Sequence, residues 1–117
     1  MTVIYKSGDM RHRVTLQARS LAEDGAGGQS VTWRAVATVW AAMEPSAGRE
    51  LMAAQALNLD QPTTITIRWQ PALANPRAVA AMRAVFGGRI FNIHSSENQE
   101  ERNRLLVLIA SEGLNDG

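Results

Sequence analysis

The chain of 117 residues has no cysteine, only two histidines, and few aromatic residues: three Trp, two Phe and one Tyr. Without cysteine there can be no disulfide framework, no thiol nucleophile, and no zinc or iron–sulfur site that relies on thiolates. Long apolar runs are also missing. The longest uncharged apolar stretches, 35–43 and 51–59, reach about half of the roughly 20 residues that a membrane-spanning helix needs. The opening MTVIYKSGDMR lacks the basic leader, apolar run and small-residue cleavage site of a signal peptide, so the protein is expected to work where it is made. An excess of either charge is absent too: 12 Lys and Arg stand against 11 Asp and Glu, a net +1. That balance leaves no basic footprint of the kind that counterion release requires, so duplex DNA is not an obvious direct ligand.

What remains is the composition of a folded domain, 45% apolar and 20% charged. The length suits one domain over 1–117 with one core. Alternation of period two dominates. Over 12–19, Val14, Leu16 and Ala18 share one face, and Arg13, Thr15, Gln17 and Arg19 share the other. EDGAGGQS then supplies glycines for a tight turn. The next stretch, VTWRAVATVWAAM, is rich in β-branched and aromatic residues, but Trp33 and Trp40 are seven apart and would face opposite ways in an unbroken strand. A bulge between Arg34 and Thr38 is therefore expected, placing both rings on the core side.

The segment 44–62 changes character: EPSAGRELMAAQALNLDQP has no β-branched residue and holds a run of helix formers over 51–57. It reads as a long loop carrying a short helix, with Ser46 as a possible cap and Glu50 placed to suit the helix dipole. A helix this short is marginal alone, so the segment is expected to be mobile until a partner orders it. TTITIRW over 63–69 is the clearest strand. One helical turn is expected near 77–81, followed by a hairpin around Gly87-Gly88 with Phe91 and Ile93 inward and SSENQEERN as its exposed exit. The last strand, RLLVLIA over 104–110, is apolar on both faces, so one face is expected to meet another element or another subunit. The whole indicates a mainly β protein, a small antiparallel barrel or sandwich with a long loop carrying a short helix.

Candidate chemistry is sparse. His12 and His94 lie on different strands, each expected opposite the apolar set, solvent-facing or interfacial. Ser95 and Ser96 beside His94 point apart along a strand, which argues against a nucleophile–base pair and hence a small hydrolase. Glu97, Glu100 and Glu101 read as a solvated turn, and the glycine pairs lack a phosphate-loop context. The three tryptophans suit core packing better than base stacking, and Lys6, Arg11 and Arg13 form a modest basic segment. No catalytic residue, cofactor or metal site is expected, and the long 44–62 loop is the feature most in need of a purpose.

SGDMRHRVTLQ, DGAGGQSVTW, VWAAMEPSAGRE, TITIRW, MRAVFGGRIFNI and RLLVLIASEG, in that order, resemble the head-tail joining proteins of tailed bacteriophages, also called head closure, head completion or stopper proteins. The likeness runs over 6–113, and its most specific part is the Val39 to Ala41 element with the following proline and Gly48-x-Glu50. The stretch between Trp69 and Met82 is about five residues longer than the family pattern, roughly one and a half helical turns. The resemblance implies a virion structural protein without enzymatic activity, made in the bacterial host cytoplasm and working in the phage particle. It implies a homo-oligomeric ring, dodecameric, seated on the portal-adaptor assembly, that retains packaged DNA, touches it transiently and receives the tail proteins. No membrane is involved. It further implies that the loop acts at the channel or at a subunit interface through Glu44, Pro45, Gly48, Arg49, Glu50, Leu51, Met52 and Leu57. A tail-terminator or adaptor role, or a small-barrel module for single-stranded nucleic acid, are the alternatives.

Overall fold

A computed structural model describes residues 10–23, 25, 27–59, 61–98 and 102–113. Six strands account for most of them: β1 (His12–Glu23), β2 (Gln29–Pro45), β3 (Thr63–Arg68), β4 (Arg83–Phe86), β5 (Arg89–Asn98) and β6 (Leu105–Gly113). They close into an antiparallel barrel in the order β1-β2-β3-β6-β5-β4. The mainly β reading is borne out, and of barrel and sandwich the chain forms the barrel. Two short helices join them, α1 (Gly48–Ala56) between β2 and β3 and α2 (Pro76–Ala80) between β3 and β4.

Alternation fixes what faces inward. Val14 and Leu16 of β1, Ile65 and Ile67 of β3, Phe91 and Ile93 of β5, and Leu106 and Leu108 of β6 form the buried core with Ala41, Ala84 and Ala110. The segment between β3 and β4 closes one end. A 3₁₀ turn at Pro71–Leu73 and α2 bring Leu73 and Val79 into the core, both nearly inaccessible. Pro76 opens α2, where its missing N–H costs nothing, and the Asn75 side chain accepts from the backbone N–H groups of Arg77 and Ala78. The expected turn near 77–81 thus begins one residue earlier and works as a plug. At the β4–β5 hairpin, Phe86 pairs with Arg89 and both intervening residues have positive φ (Gly87 +55°, Gly88 +86°), the geometry of a two-residue turn matched to strand twist.

The bulge in β2 is present and its consequence is reversed. Leu16 pairs with Ala37 and Gln17 with Ala35, leaving Val36 as the extra residue. Trp40 then lies opposite Arg13 and Trp33 opposite Arg19, so both rings share one face as expected, but it is the outer face. Trp40 is 53% exposed with the Arg13 guanidinium 5.0 Å from its ring, and the Arg83 guanidinium sits 4.2 Å from the half-buried Trp33 ring. A tryptophan covered by a guanidinium gains cation–π attraction without entering the core. Only Trp69 packs against the core.

One other expectation is narrowed and two are corrected. β6 is buried on both faces within the single chain: Leu106, Leu108 and Ala110 point inward, and the outward Val107 and Ile109 retain 8% and 6% exposure. The final strand therefore meets other elements of its own chain, the first of the two alternatives expected for it. The stretch after Ser95 stays in β5 as far as Asn98, because β6 supplies partners for it (Ser96 with Leu108, Asn98 with Leu106). Glu97 is exposed on that strand, and Glu100, Glu101 and Lys6 lie outside the described residues. His12 does not face solvent: it points into the open end of the barrel, edge-on to Phe86 with ring centroids 4.9 Å apart.

Candidate functional site at the open end of the barrel

The end opposite the α2 plug is where the 44–62 segment leaves and returns. Glu44 and Pro45 complete β2, pairing with Thr64 and Thr63 of β3. The Ser46 N–H then donates to the Pro62 carbonyl at 2.9 Å, and the Ser46 and Thr64 hydroxyls bond at 2.8 Å. These two bonds pinch the segment at its base. Ser46 is consequently not the helix cap: Ala47 holds that position with no side-chain bond, and the serine hydroxyl is spent on the barrel.

Gly48 opens α1 at φ +58°, where an L side chain is strained although nothing lies within 4 Å of a Cβ built there. Glu50 stands in the first turn, where a carboxylate suits the positive end of the dipole. The Leu57 N–H and the Leu59 N–H both donate to the Ala54 carbonyl, and Asn58 takes φ +57°, which stops the helix. Burial along α1 is one-sided. Ala54 is inaccessible, Glu50 and Leu51 are half-buried, Arg49 is exposed, and Met52 and Leu57 are 70% and 50% exposed. Of the eight residues singled out in sequence, the structure brings Glu44 and Pro45 to the barrel rim and gathers Gly48, Arg49, Glu50, Leu51 and Met52 on α1 with Leu57 at its end. They form a protruding ridge and not a pocket.

Beside that ridge lies a feature no sequence pattern announced, a cavity of about 200 Å³ lined by His12, Met43, Glu44, Pro45, Thr63, Phe86, Arg89 and Phe91. The contributors come from the end regions of five strands, so no local spacing could have gathered them. Arg89 and Glu112 guard its edge as a bidentate pair, Nε to Oε2 at 3.0 Å and the second nitrogen to Oε1 at 2.8 Å. The Arg89 guanidinium also lies 4.9 Å from the Phe91 ring. Hydrogen bonding to Arg89 holds the Glu112 carboxyl below the usual carboxylate range. The pair is solvent-exposed and contributes little to stability. Within the cavity wall, His12 Nδ1 is buried without a hydrogen-bond partner.

His94 occupies the bulge in β5, between Ile93 opposite Ala110 and Ser95 opposite Ile109. It is exposed, as expected, and its Nε2 lies 2.7 Å from the Ser111 hydroxyl. Desolvation, not a neighbouring charge, lowers its pKa. A histidine whose folded pKa lies below the unfolded value near 6.5 takes up protons on unfolding, so stability is full above that value and falls as pH drops through the folded pKa. Glu112 has the same sign at lower pH. The wild-type melting temperature should therefore fall between pH 7.5 and 5.5, and a His94→Gln variant should show a smaller fall; equal falls in the two proteins would contradict this. Among the described residues no group of three or more potential ligands gathers to hold a metal ion.

Comparison with known proteins follows the same lines. A family model described as phage head completion protein matches residues 5–113. The solution structure of protein SF1141 from Shigella flexneri 2a superposes with a TM-score of 0.70 at 24% identity, covering 96% of this chain and all of that one, a likeness of fold. A chain from the virion of a native gene transfer agent particle superposes with a TM-score of 0.56 at 26% identity, covering 90% of this chain and 96% of that one. No curated protein matches.

Proposed function

The chain belongs to the phage head completion protein family, and from that premise we propose that it assembles as a homo-oligomeric ring at the portal vertex, closes the filled head to retain DNA, and joins head to tail. The observation that carries this reading is the α1 ridge: two large apolar side chains, Met52 and Leu57, held out from a barrel to which their segment is pinned at both ends. A loop longer than about 15 residues in so small a domain usually has a job, and one that displays apolar surface is built to be covered. In the ring, α1 lines or closes the channel, and Glu44, Pro45, Gly48, Arg49, Glu50, Leu51, Met52 and Leu57 supply the surface that meets neighbouring copies or the passing DNA. The near-neutral charge suits that place, because each phosphate neutralised by Lys or Arg would hold the DNA against ejection. Twelve copies, seating on a portal-adaptor assembly, docking of tail proteins, transient DNA contact and residence in the host cytoplasm before assembly belong to the same proposal.

No reacting group is needed for any of this. The His94 imidazole meets the Ser111 hydroxyl at 2.7 Å, and burial, with no charged group among the described residues, is what lowers its pKa, which argues against a relay. The family description favours head closure over a tail-terminator or adaptor role. Removing the gene from its phage or prophage should leave filled or leaking heads alongside complete free tails, seen by electron microscopy. Normal infectious particles made without the protein would overturn the proposal.

A further inference from the structure

The cavity at the barrel mouth takes no part in the closure proposed above, and its walls are covered to different degrees. Three rings stand on neighbouring strands: Phe91 of β5, Phe86 of β4 and His12 of β1, the last edge-on to Phe86. Met43 and Pro45 of β2 and Thr63 of β3 continue the lining. Phe91 is buried, but His12, Met43 and Phe86 are only half-buried and Pro45 is exposed, so folding leaves apolar surface at the mouth uncovered. The volume of about 200 Å³ is ample for a six-membered ring, since an apolar cavity of about 150 Å³ takes up benzene.

The charged groups at this site are already matched. Arg89 and Glu112 satisfy each other through two hydrogen bonds, and Glu44 is engaged as well. His12 differs: its Nδ1 is buried and has no hydrogen-bond partner. A polar atom left in that state is costly, and native structures seldom keep one without a purpose. No hydrogen bond of Nδ1 fixes the ring, so a turn about the Cβ–Cγ bond can bring that nitrogen to the cavity.

We propose that the mouth cavity is a binding site for a neutral phenolic ring supplied from outside the chain, seated against Phe86, Phe91, Met43 and Pro45 with its hydroxyl on the His12 imidazole. Aromatic walls favour an edge-to-face or offset ring, and the Met43 thioether adds a favourable contact with its edge. A hydroxyl both donates and accepts, so it matches the imidazole in either tautomer. A carboxylate or an ammonium group would have to break the Arg89–Glu112 pair to find a counter-charge, which makes a neutral ligand the better fit. Water alone would satisfy the nitrogen and leave the apolar walls wet. Apolar walls with one or two placed polar groups are the usual make-up of a small-ligand site. A phenol can arrive as a free small molecule or as the tyrosine side chain of another protein. The site does not depend on how copies of the chain pack in a ring.

The test titrates the full chain with p-cresol, toluene, 4-hydroxybenzoate and a blocked Gly-Tyr-Gly peptide, followed by NMR of the Met43 methyl group and the His12 ring. p-Cresol should shift both signals saturably, with an affinity that salt leaves unchanged. Toluene should bind at least three-fold more weakly for want of the hydrogen bond, and 4-hydroxybenzoate no better than p-cresol. The same shifts with the tyrosine peptide assign the site to a protein side chain, and a response to p-cresol without one to the peptide assigns it to a free phenol. His12→Phe keeps the ring shape and should bring p-cresol and toluene to equal affinity, while Thr63→Phe fills the mouth and should weaken both at least ten-fold. The wild-type comparison of p-cresol with toluene depends on no variant's folding. No saturable shift, equal binding of p-cresol and toluene by the wild type, or a salt-sensitive preference for the carboxylate would each overturn the proposal. So would binding that appears only with Tyr5→Ala, because the cavity would then belong to the chain's own single tyrosine.

Discussion

A chain carrying Met52→Glu and Leu57→Glu should fold as the parent does and fail in the particle. Both side chains are mostly exposed, and substitutions at such positions usually change stability by no more than about 0.5 kcal/mol each. The unfolding midpoint should therefore move by only a few degrees. If α1 covers the channel or meets the neighbouring copy through its apolar edge, two carboxylates there replace burial by charge repulsion and desolvation. DNA retention, measured as nuclease-resistant genomes per head, should fall by at least ten-fold while the protein remains soluble. Unchanged retention and infectivity would show that the exposed side of α1 has no part in closure.

Phe91→Ala should instead act on the fold. Phe91 is almost wholly buried, contributes to the core, and lines the cavity at the barrel mouth, so truncation enlarges a space that is already there. Loss of a buried phenylalanine costs about 3–5 kcal/mol, against total stabilities of about 5–15 kcal/mol for domains of this kind. The melting temperature should drop by roughly 10 °C or more, read by circular dichroism. Ile93→Val, at the next inward position, removes one methyl and should cost only about 1 kcal/mol. If the two variants melt alike, the core does not centre on Phe91 as described.

These outcomes separate what was legible in the sequence from what was not. Inward positions such as Val14, Ile65 and Phe91 follow from period-two alternation, because a half-buried strand must repeat every second residue. The seven-residue spacing of Trp33 and Trp40 disclosed a bulge, since two large rings on one face leave no other solution. It could not disclose which face, because that depends on Arg83, fifty residues away in sequence, reaching Trp33 across the sheet. The doubly apolar β6 left open whether another element or another subunit covers it, for a related reason. Leu106 and Val107 point opposite ways, and only the assembled fold shows that both are covered within one chain.

The candidate site divides in the same way. A long helix-bearing insert at 44–62 was evident from composition, because a run without β-branched residues stands out among strands. Its anchoring was not, since the Ser46 hydroxyl chose Thr64 over the helix end, a choice made by the partner strand. The cavity at the mouth needs strand ends drawn from His12 to Phe91 and has no sequence signature at all.

Electron cryomicroscopy of the assembled particle, resolving this chain in place, puts the account at greatest risk. With the copies arranged about the portal axis, Met52 and Leu57 of every copy should lie nearest that axis, and the barrel walls should lie farther out. A ring whose channel is lined by β1 and β2 or by the α2 plug, with α1 turned outward to solvent, would contradict it.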